Sequence, residues 1–509
     1  MKVRFILLLP LIILSVVLSS CKDKDNDNNP KDQTDDEFTN ECIQDKMKRL
    51  YLWNTELPAK YNYSQDSESF FYGILYKYGD INGDCFSWIE KDKSKDTKSL
   101  FGGGKLGFDY IAHSYFGSQQ DKNSSVGFFV TYVREESDAY AKGLRRGHVI
   151  YQVNSEKITG DNYDKLLNDD SFILHIYDSN GAKKTLPAIQ ASLEKDSPIF
   201  LSKVITASNT KIGYLVYNAF ERGPDENNTN DYQYDIELIE AIRNLNNQGI
   251  TELILDLRYN PGGYLTSAMA LASALVPNRD TRNIFVKEKY NQHFQDSIVK
   301  NWGADALNEY FLDKIYGTNV EIPRSNLSRL FVIAAEYSAS ASELTIHGLR
   351  PYMKVYHVGE TTVGKDKASM TIKWDNKRIK WQLQPIISKL SDCNGKGDYI
   401  YGLEPDYEVF EWNESYAVTD AYYIDSNGNR IEIQIPILSP WIGGFKELGD
   451  LSEPLLAEAI AQITGQPRQK TSFIKKSGGT PKRVDFIKQD ERRYKTLVDE
   501  NKFEKLNNK

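Results

Sequence analysis

Leu330-Phe331-Val332-Ile333-Ala334-Ala335-Glu336-Tyr337-Ser338-Ala339-Ser340-Ala341-Ser342-Glu343 is the stretch whose reading decides the fold. Its first six residues are apolar throughout and read as a buried strand. Beyond it, Leu344, His347, Gly348 and Leu349, closed by Pro351, read as a short helix. A turn of small residues joins the two. Such a turn holds a hydroxyl close to other backbone, and the helix start points its N–H groups at whatever sits on that hydroxyl. The arrangement suits a nucleophile.

A serine hydroxyl attacks only when a base takes its proton. Val358-Gly359-Glu360-Thr361-Thr362-Val363-Gly364-Lys365 reads as a second strand running into a glycine-bracketed loop that ends in a lysine, 25 residues beyond Ser340. The Ser-Ala-Ser-Ala-Ser-Glu run of 338–343, followed at this spacing by Gly-Glu-Thr-x-x-Gly-Lys, resembles the C-terminal processing (tail-specific) serine peptidase family. The resemblance implies Ser340 as nucleophile and Lys365 as general base. The residues alone also allow a plainer reading. Ser340-Ala341-Ser342-Glu343 fits the S-x-x-E capping box, in which Ser340 only caps the helix.

Asp256-Leu257-Arg258-Tyr259-Asn260-Pro261-Gly262-Gly263 matches the same family's D-L-R-x-N-x-G-G run at every defined position. Paired glycines let backbone approach a substrate with no Cβ between them. The resemblance implies that the N–H of Ala341, with that of Gly263 or Gly262, forms an oxyanion hole. Read without the family, the run is a Pro-Gly turn ending a strand. Gly402-Leu403-Glu404-Pro405-Asp406 resembles a further family element near the end of the core. One position departs. Many members carry a glutamine four residues after the lysine to orient it, and here Ser369 stands there. Serine has a shorter reach, so Ser369 takes over that role, another group does, or the lysine is held less firmly.

At 509 residues the chain is too long for one ordinary core. Its net charge of −8 argues against nucleic acid as the main partner. Lys2 and Arg4 precede an apolar stretch over 5–18, short for a membrane span but fitting a signal-peptide core, so 1–20 read as a signal peptide. Leu18-Ser19-Ser20-Cys21 resembles a bacterial lipobox. It implies lipidation of Cys21, a polar linker over 21–40 and a lipid-anchored protein of the cell envelope; the alternative is a cleaved leader with an incidental cysteine. The remaining cysteines, Cys42, Cys85 and Cys393, cannot all pair, and their spacing fits no metal site. No metal or organic cofactor is expected.

Residues 41–98 read as a small helical domain, with Met47, Leu50, Leu57, Phe70, Phe71, Ile74 and Leu75 at helical spacing. Its aromatic runs resemble the helical N-terminal region of Bacteroidetes-type family members. Residues 99–195 are β-rich and resemble a PDZ domain, through Leu106-Gly107-Phe108 as carboxylate-binding loop and Gly143-Leu144-Arg145-Arg146-Gly147-His148-Val149-Ile150. From 196 to 465 strands and helices alternate, which implies an α/β core with parallel pairing; the family's core is of the crotonase/ClpP-like kind. The tail over 466–509 is rich in lysine and arginine and reads as surface or disordered. The expectation is therefore a multidomain α+β protein: a helical N-terminal domain, a PDZ-like domain and an α/β serine peptidase core. Its partner would be a protein or peptide with a free C-terminus. A rival class shares the sequence: a lipid-anchored protein that binds peptide tails without cutting them.

Overall fold

The computed structural model describes residues 33–92, 106–114, 126–160, 162–163, 165–192, 196–225, 228, 230–411, 418–424, 430–436, 445–467 and 495–497. Cys21, the leader and the linker up to residue 32 lie outside these.

The apolar runs of the core become the strands Thr210–Tyr217, Glu252–Asp256 and Arg329–Ala334. With Lys354–Gly359 and Tyr407–Glu408 they lie parallel in that order, and antiparallel Ile199–Ala207 closes one edge. Parallel neighbours need crossovers, which the helices Gln233–Asn247, Leu265–Leu275 and Ala341–Leu349 supply. Side chains alternate between the two faces. Leu253, Leu255, Leu330 and Val332 pack with these helices, whereas Ile254, Phe331 and Ile333 pack with Leu455, Leu456 and Ala459 of the helix Pro454–Thr464. Burial of both faces explains why the strands read as unbroken apolar runs.

A second sheet has the order Gly262–Tyr264, Lys495–Leu497, Lys367–Ser369, Ile386–Ser391, Ile284–Tyr290, Asn308–Tyr310. At Lys495–Leu497 the tail, expected to be surface or disordered, is instead built into this sheet. After Lys380 the chain forms two strands, Trp381–Gln384 and Ile386–Ser391, parted at Pro385, which has no N–H to give to a ladder. The helix Pro454–Thr464 is capped by the Glu453 carboxylate, which accepts the Leu456 N–H at 2.9 Å.

The N-terminal helices are Asp35–Leu50 and Ser67–Gly73. The first starts six residues before the expected boundary at 41, because Thr34 and Glu37 form a reciprocal capping box there. This region is not independent of the core: its last strand, Trp88–Lys91, pairs antiparallel with Trp381–Gln384. The β-rich region has its own apolar core around Phe108, Phe128, Leu144, Ile150 and Ile176. Its strands run in the order Phe108–Ser114, Val126–Val133, Val149–Val153, Leu174–Tyr177, Lys183–Thr185. Cys85 and Cys393 carry thiols and are not disulfide-bonded. No helix among the described residues is long and apolar enough to cross a membrane.

Candidate active site

The three serines of the 338–342 turn are all buried, and their hydroxyls differ in occupation. Ser338 Oγ donates to the Leu257 carbonyl at 2.8 Å and accepts the Ala335 N–H. Ser342 Oγ donates to the Asn260 carbonyl at 2.9 Å. These two fasten the turn to the loop after Asp256. Ser340 Oγ alone has no hydrogen-bond partner among the described residues. The Ser340 backbone sits at φ 62°, ψ −111°, a left-handed conformation that costs a non-glycine residue about 1–3 kcal/mol. Ser340 precedes the helix Ala341–Leu349 as its N-cap, but the capping reading holds only in its return half: Glu343 accepts the Ser340 N–H at 2.7 Å, while the hydroxyl is left unused.

Glu343 does more than answer the cap. Its Oε2 also accepts the Lys365 N–H at 2.8 Å, and its Oε1 accepts the Gly364 N–H at 2.6 Å and the Thr362 hydroxyl at 2.5 Å. Thr362 Oγ1 takes the Leu403 N–H in turn, so its own proton is free for the carboxylate. Burial raises the Glu343 carboxyl to about 7 even against the pull of these donors. Four donors and no acceptor facing it fit the carboxylate form.

Lys365 is fully buried, and burial lowers its ammonium to about 7. Asp84, Cys85 and Glu343 oppose that shift, and Lys367 adds to it. Asp84 and Phe86 come from the N-terminal region. The Phe86 ring centroid stands 5.3 Å from Lys365 Nζ, and Asp84 is held by Tyr51 Oη at 2.8 Å and by the N–H groups of Phe86 and Ser87. Their approach to the lysine joins residues nearly 280 positions apart, which no local pattern announces.

Ser369 lies in the strand after Lys365, opposite Ile386. Its Oγ accepts the Gln384 Nε2–H at 2.9 Å, both residues being buried, and Gln384 Oε1 has no partner among the described residues. An amide therefore stands beside Ser369 after all, delivered by a neighbouring strand.

Gly262 and Gly263 have φ of 103° and 144°, and a Cβ on Gly263 would lie 2.1 Å from the Phe220 carbonyl oxygen. Only glycine fits. The Gly262 N–H donates to Asn260 Oδ1 at 2.9 Å, so it is committed elsewhere. Phe220 donates to the Gly262 carbonyl and accepts the Tyr264 N–H, which by strand alternation turns the Gly263 N–H to the opposite side. Ala341 opens its helix, so its N–H has no intrahelical partner.

Asp256 and Arg258 are structural. Arg258 is fully buried and binds Asp256, Glu411 and Glu453, at 2.7 Å from the nearest oxygen of Asp256 and of Glu411 and 2.8 Å from that of Glu453. Arg146, from the β-rich region, donates to Tyr259 Oη at 2.7 Å and to Glu411. Burial would raise the Glu411 carboxyl, but Arg146 and Arg258 hold it near 2. Leu106, Gly107 and Phe108 stand at the start of the edge strand Phe108–Ser114.

An unoccupied, strained serine, a buried lysine of lowered basicity and a glycine-lined strand are the parts of a serine-type acyl-transfer site. Residues 211–409 match the model of peptidase family S41, and residues 39–88 that of the peptidase S41 N-terminal domain. These two segments are similar to the two domains of a family S41 peptidase. It is 24% identical over 380 residues to a CtpA-like serine protease of Staphylococcus aureus, covering 73% of this chain and 66% of that protein. It is 25% identical over 298 residues to a CtpA-like serine protease of Staphylococcus epidermidis, covering 57% and 52%. The chain thus spans just under two thirds of the longer-matching relative. The crystal structure of an S41 protease from Bacteroides fragilis superposes with a TM-score of 0.62 at 25% identity, over 84% of this chain and 97% of that one.

Proposed function

We propose that this protein is a serine endopeptidase of the C-terminal processing type, working through Ser340 and Lys365. One observation carries the reading: of three buried serines in one turn, two are consumed as staples, and the third is held in a strained conformation with its hydroxyl unused. Lys365, neutral near pH 7, takes the Ser340 proton as Oγ attacks the peptide carbonyl. The N–H groups of Ala341 and Gly263 receive the developing oxyanion. The lysine then protonates the leaving amine, and a water activated by the same lysine hydrolyses the acyl-enzyme. Lowering the lysine from 10.5 to about 7 corresponds to roughly 4–5 kcal/mol against the buried ammonium. The neighbouring Ser369, backed by Gln384, fixes the direction of the amine.

The region over 99–195 acts in this reading as a PDZ domain that holds substrate C-termini. Its first strand, Phe108–Ser114, lies at the end of its sheet, where a peptide can add as a further strand, and Leu106-Gly107-Phe108 precedes it as the carboxylate loop. Lipidation of Cys21 would place the enzyme on the cell envelope, with exported proteins as substrates. Purified protein should cleave a peptide with an apolar free C-terminus, and Ser340→Ala should not. Cleavage surviving in that variant would refute the dyad; a wild-type protein that binds but never cuts would favour a peptide-binding role.

A further inference from the structure

Ser340 is 0% exposed, yet a nucleophile must be reached by the bond it attacks. The strand Lys495–Leu497 lies between Gly262–Tyr264, which carries the oxyanion glycine, and Lys367–Ser369, which follows the lysine. It runs parallel to both, with Gly262 opposite Lys495, Gly263 opposite Thr496, Tyr264 opposite Leu497, and Ser369 also opposite Leu497. We infer that the gap between these two strands is the peptide-strand site of the enzyme, and that the chain's own segment Lys495–Leu497 fills it as a tethered competitor of substrate.

This inference rests on the peptidase reading above and adds to it the occupant and its direction. One side of Gly262–Tyr264 is taken by Phe220, so the Gly263 N–H faces the side on which Lys495–Leu497 lies. A donor suited to an oxyanion is thereby turned toward tail backbone. Recognition through a main-chain ladder asks for an extended chain and little else, which an internal segment satisfies as well as a substrate. Charge adds to tethering. From Gln466 onward the tail has thirteen lysines and arginines against six acidic residues, on a chain whose net charge is −8, so the body it folds back on is strongly acidic. A tethered strand also competes at an effective concentration of order millimolar, without high intrinsic affinity.

The full-length chain with Thr496→Pro tests this, because proline removes the N–H and breaks the strand while leaving the catalytic groups untouched. Two readouts are used: kcat/KM on a peptide substrate, and binding of a fluorescein-labelled peptide with the sequence of residues 490–502. Thr496→Pro should raise kcat/KM by about 10-fold or more and bind the labelled peptide correspondingly more tightly than the wild type. The unlabelled peptide should inhibit the variant competitively. Equal binding and equal turnover in the two proteins overturn the inference. If neither protein turns over but the binding difference is present, the strand site stands and the peptidase reading fails. Should Thr496→Pro fail to fold, Thr496→Gly, which weakens the strand without removing its N–H, replaces it with the same expected direction.

Discussion

Ser340 and Lys365 are tied to each other through one atom: Glu343 Oε2 accepts both backbone N–H groups, at 2.7 and 2.8 Å. The turn with the proposed nucleophile and the loop with the proposed base thus share a common anchor, so a shift of one is felt by the other. Glu343→Gln puts an N–H₂ group among donors and breaks charged hydrogen bonds worth about 1.5–3 kcal/mol each. Thermal unfolding should show a clearly lowered Tm, and turnover should fall with it. A Gln variant as stable as wild type would mean that the anchor carries no weight.

Lys365→Met should be inactive and more stable than wild type. The folded-state pKa is lowered from 10.5 to about 7. Below pH 7 both states hold the proton and the fold bears the full cost of a buried ammonium. Between pH 7 and 10.5 only the unfolded chain holds it, so wild-type stability rises with pH. The stabilisation by Met should therefore be largest at pH 6 and shrink towards pH 10, which denaturant titrations at the two ends can measure. A gain that does not vary with pH would point to packing and not to charge.

Ser340→Gly should stabilise by about 1 kcal/mol, since glycine adopts φ 62° without strain and no cap bond is lost. Calorimetry decides. A loss near 1 kcal/mol would show the hydroxyl to be a helix cap.

The contrast between these residues shows what a sequence can disclose. Ser340, Lys365 and the glycine pair sit in contiguous runs whose turn chemistry is local, and the buried strands of the core show as apolar runs. Glu343 was visible only as half of a capping box, because its other three donors come from 362–365. Gln384 gave no local signal: it meets Ser369 because Ile386, just beyond the break at Pro385, pairs opposite Ser369. Asp84 and Phe86 reach the lysine because Trp88–Lys91 pairs with Trp381–Gln384, a pairing across nearly 300 residues. The tail strand was missed because its three residues are too few to show an alternating pattern.

Gln384→Leu should lower kcat on the order of 10-fold or more with KM little changed, since it removes the amide behind Ser369 and not a substrate contact. The exchange Ser369→Gln with Gln384→Ser should restore part of the loss. Unaltered kcat in Gln384→Leu would assign that amide to structure alone.

Arg146→Ala should unfasten the β-rich region from the core, since it leaves Glu411 and Tyr259 short of a buried partner, a loss of about 3–5 kcal/mol. Limited proteolysis should then cut between the two regions faster than in wild type. Unchanged cutting would show that Arg258 alone holds Glu411.

The most direct measurement is the pH dependence of covalent labelling by a serine-directed fluorophosphonate, with the modified residue identified by mass spectrometry. Label should appear on Ser340, at a rate rising through an apparent pKa near 7, and should be lost in Lys365→Met. Label on another residue, or Ser340 labelling at an undiminished rate in Lys365→Met, would contradict the dyad.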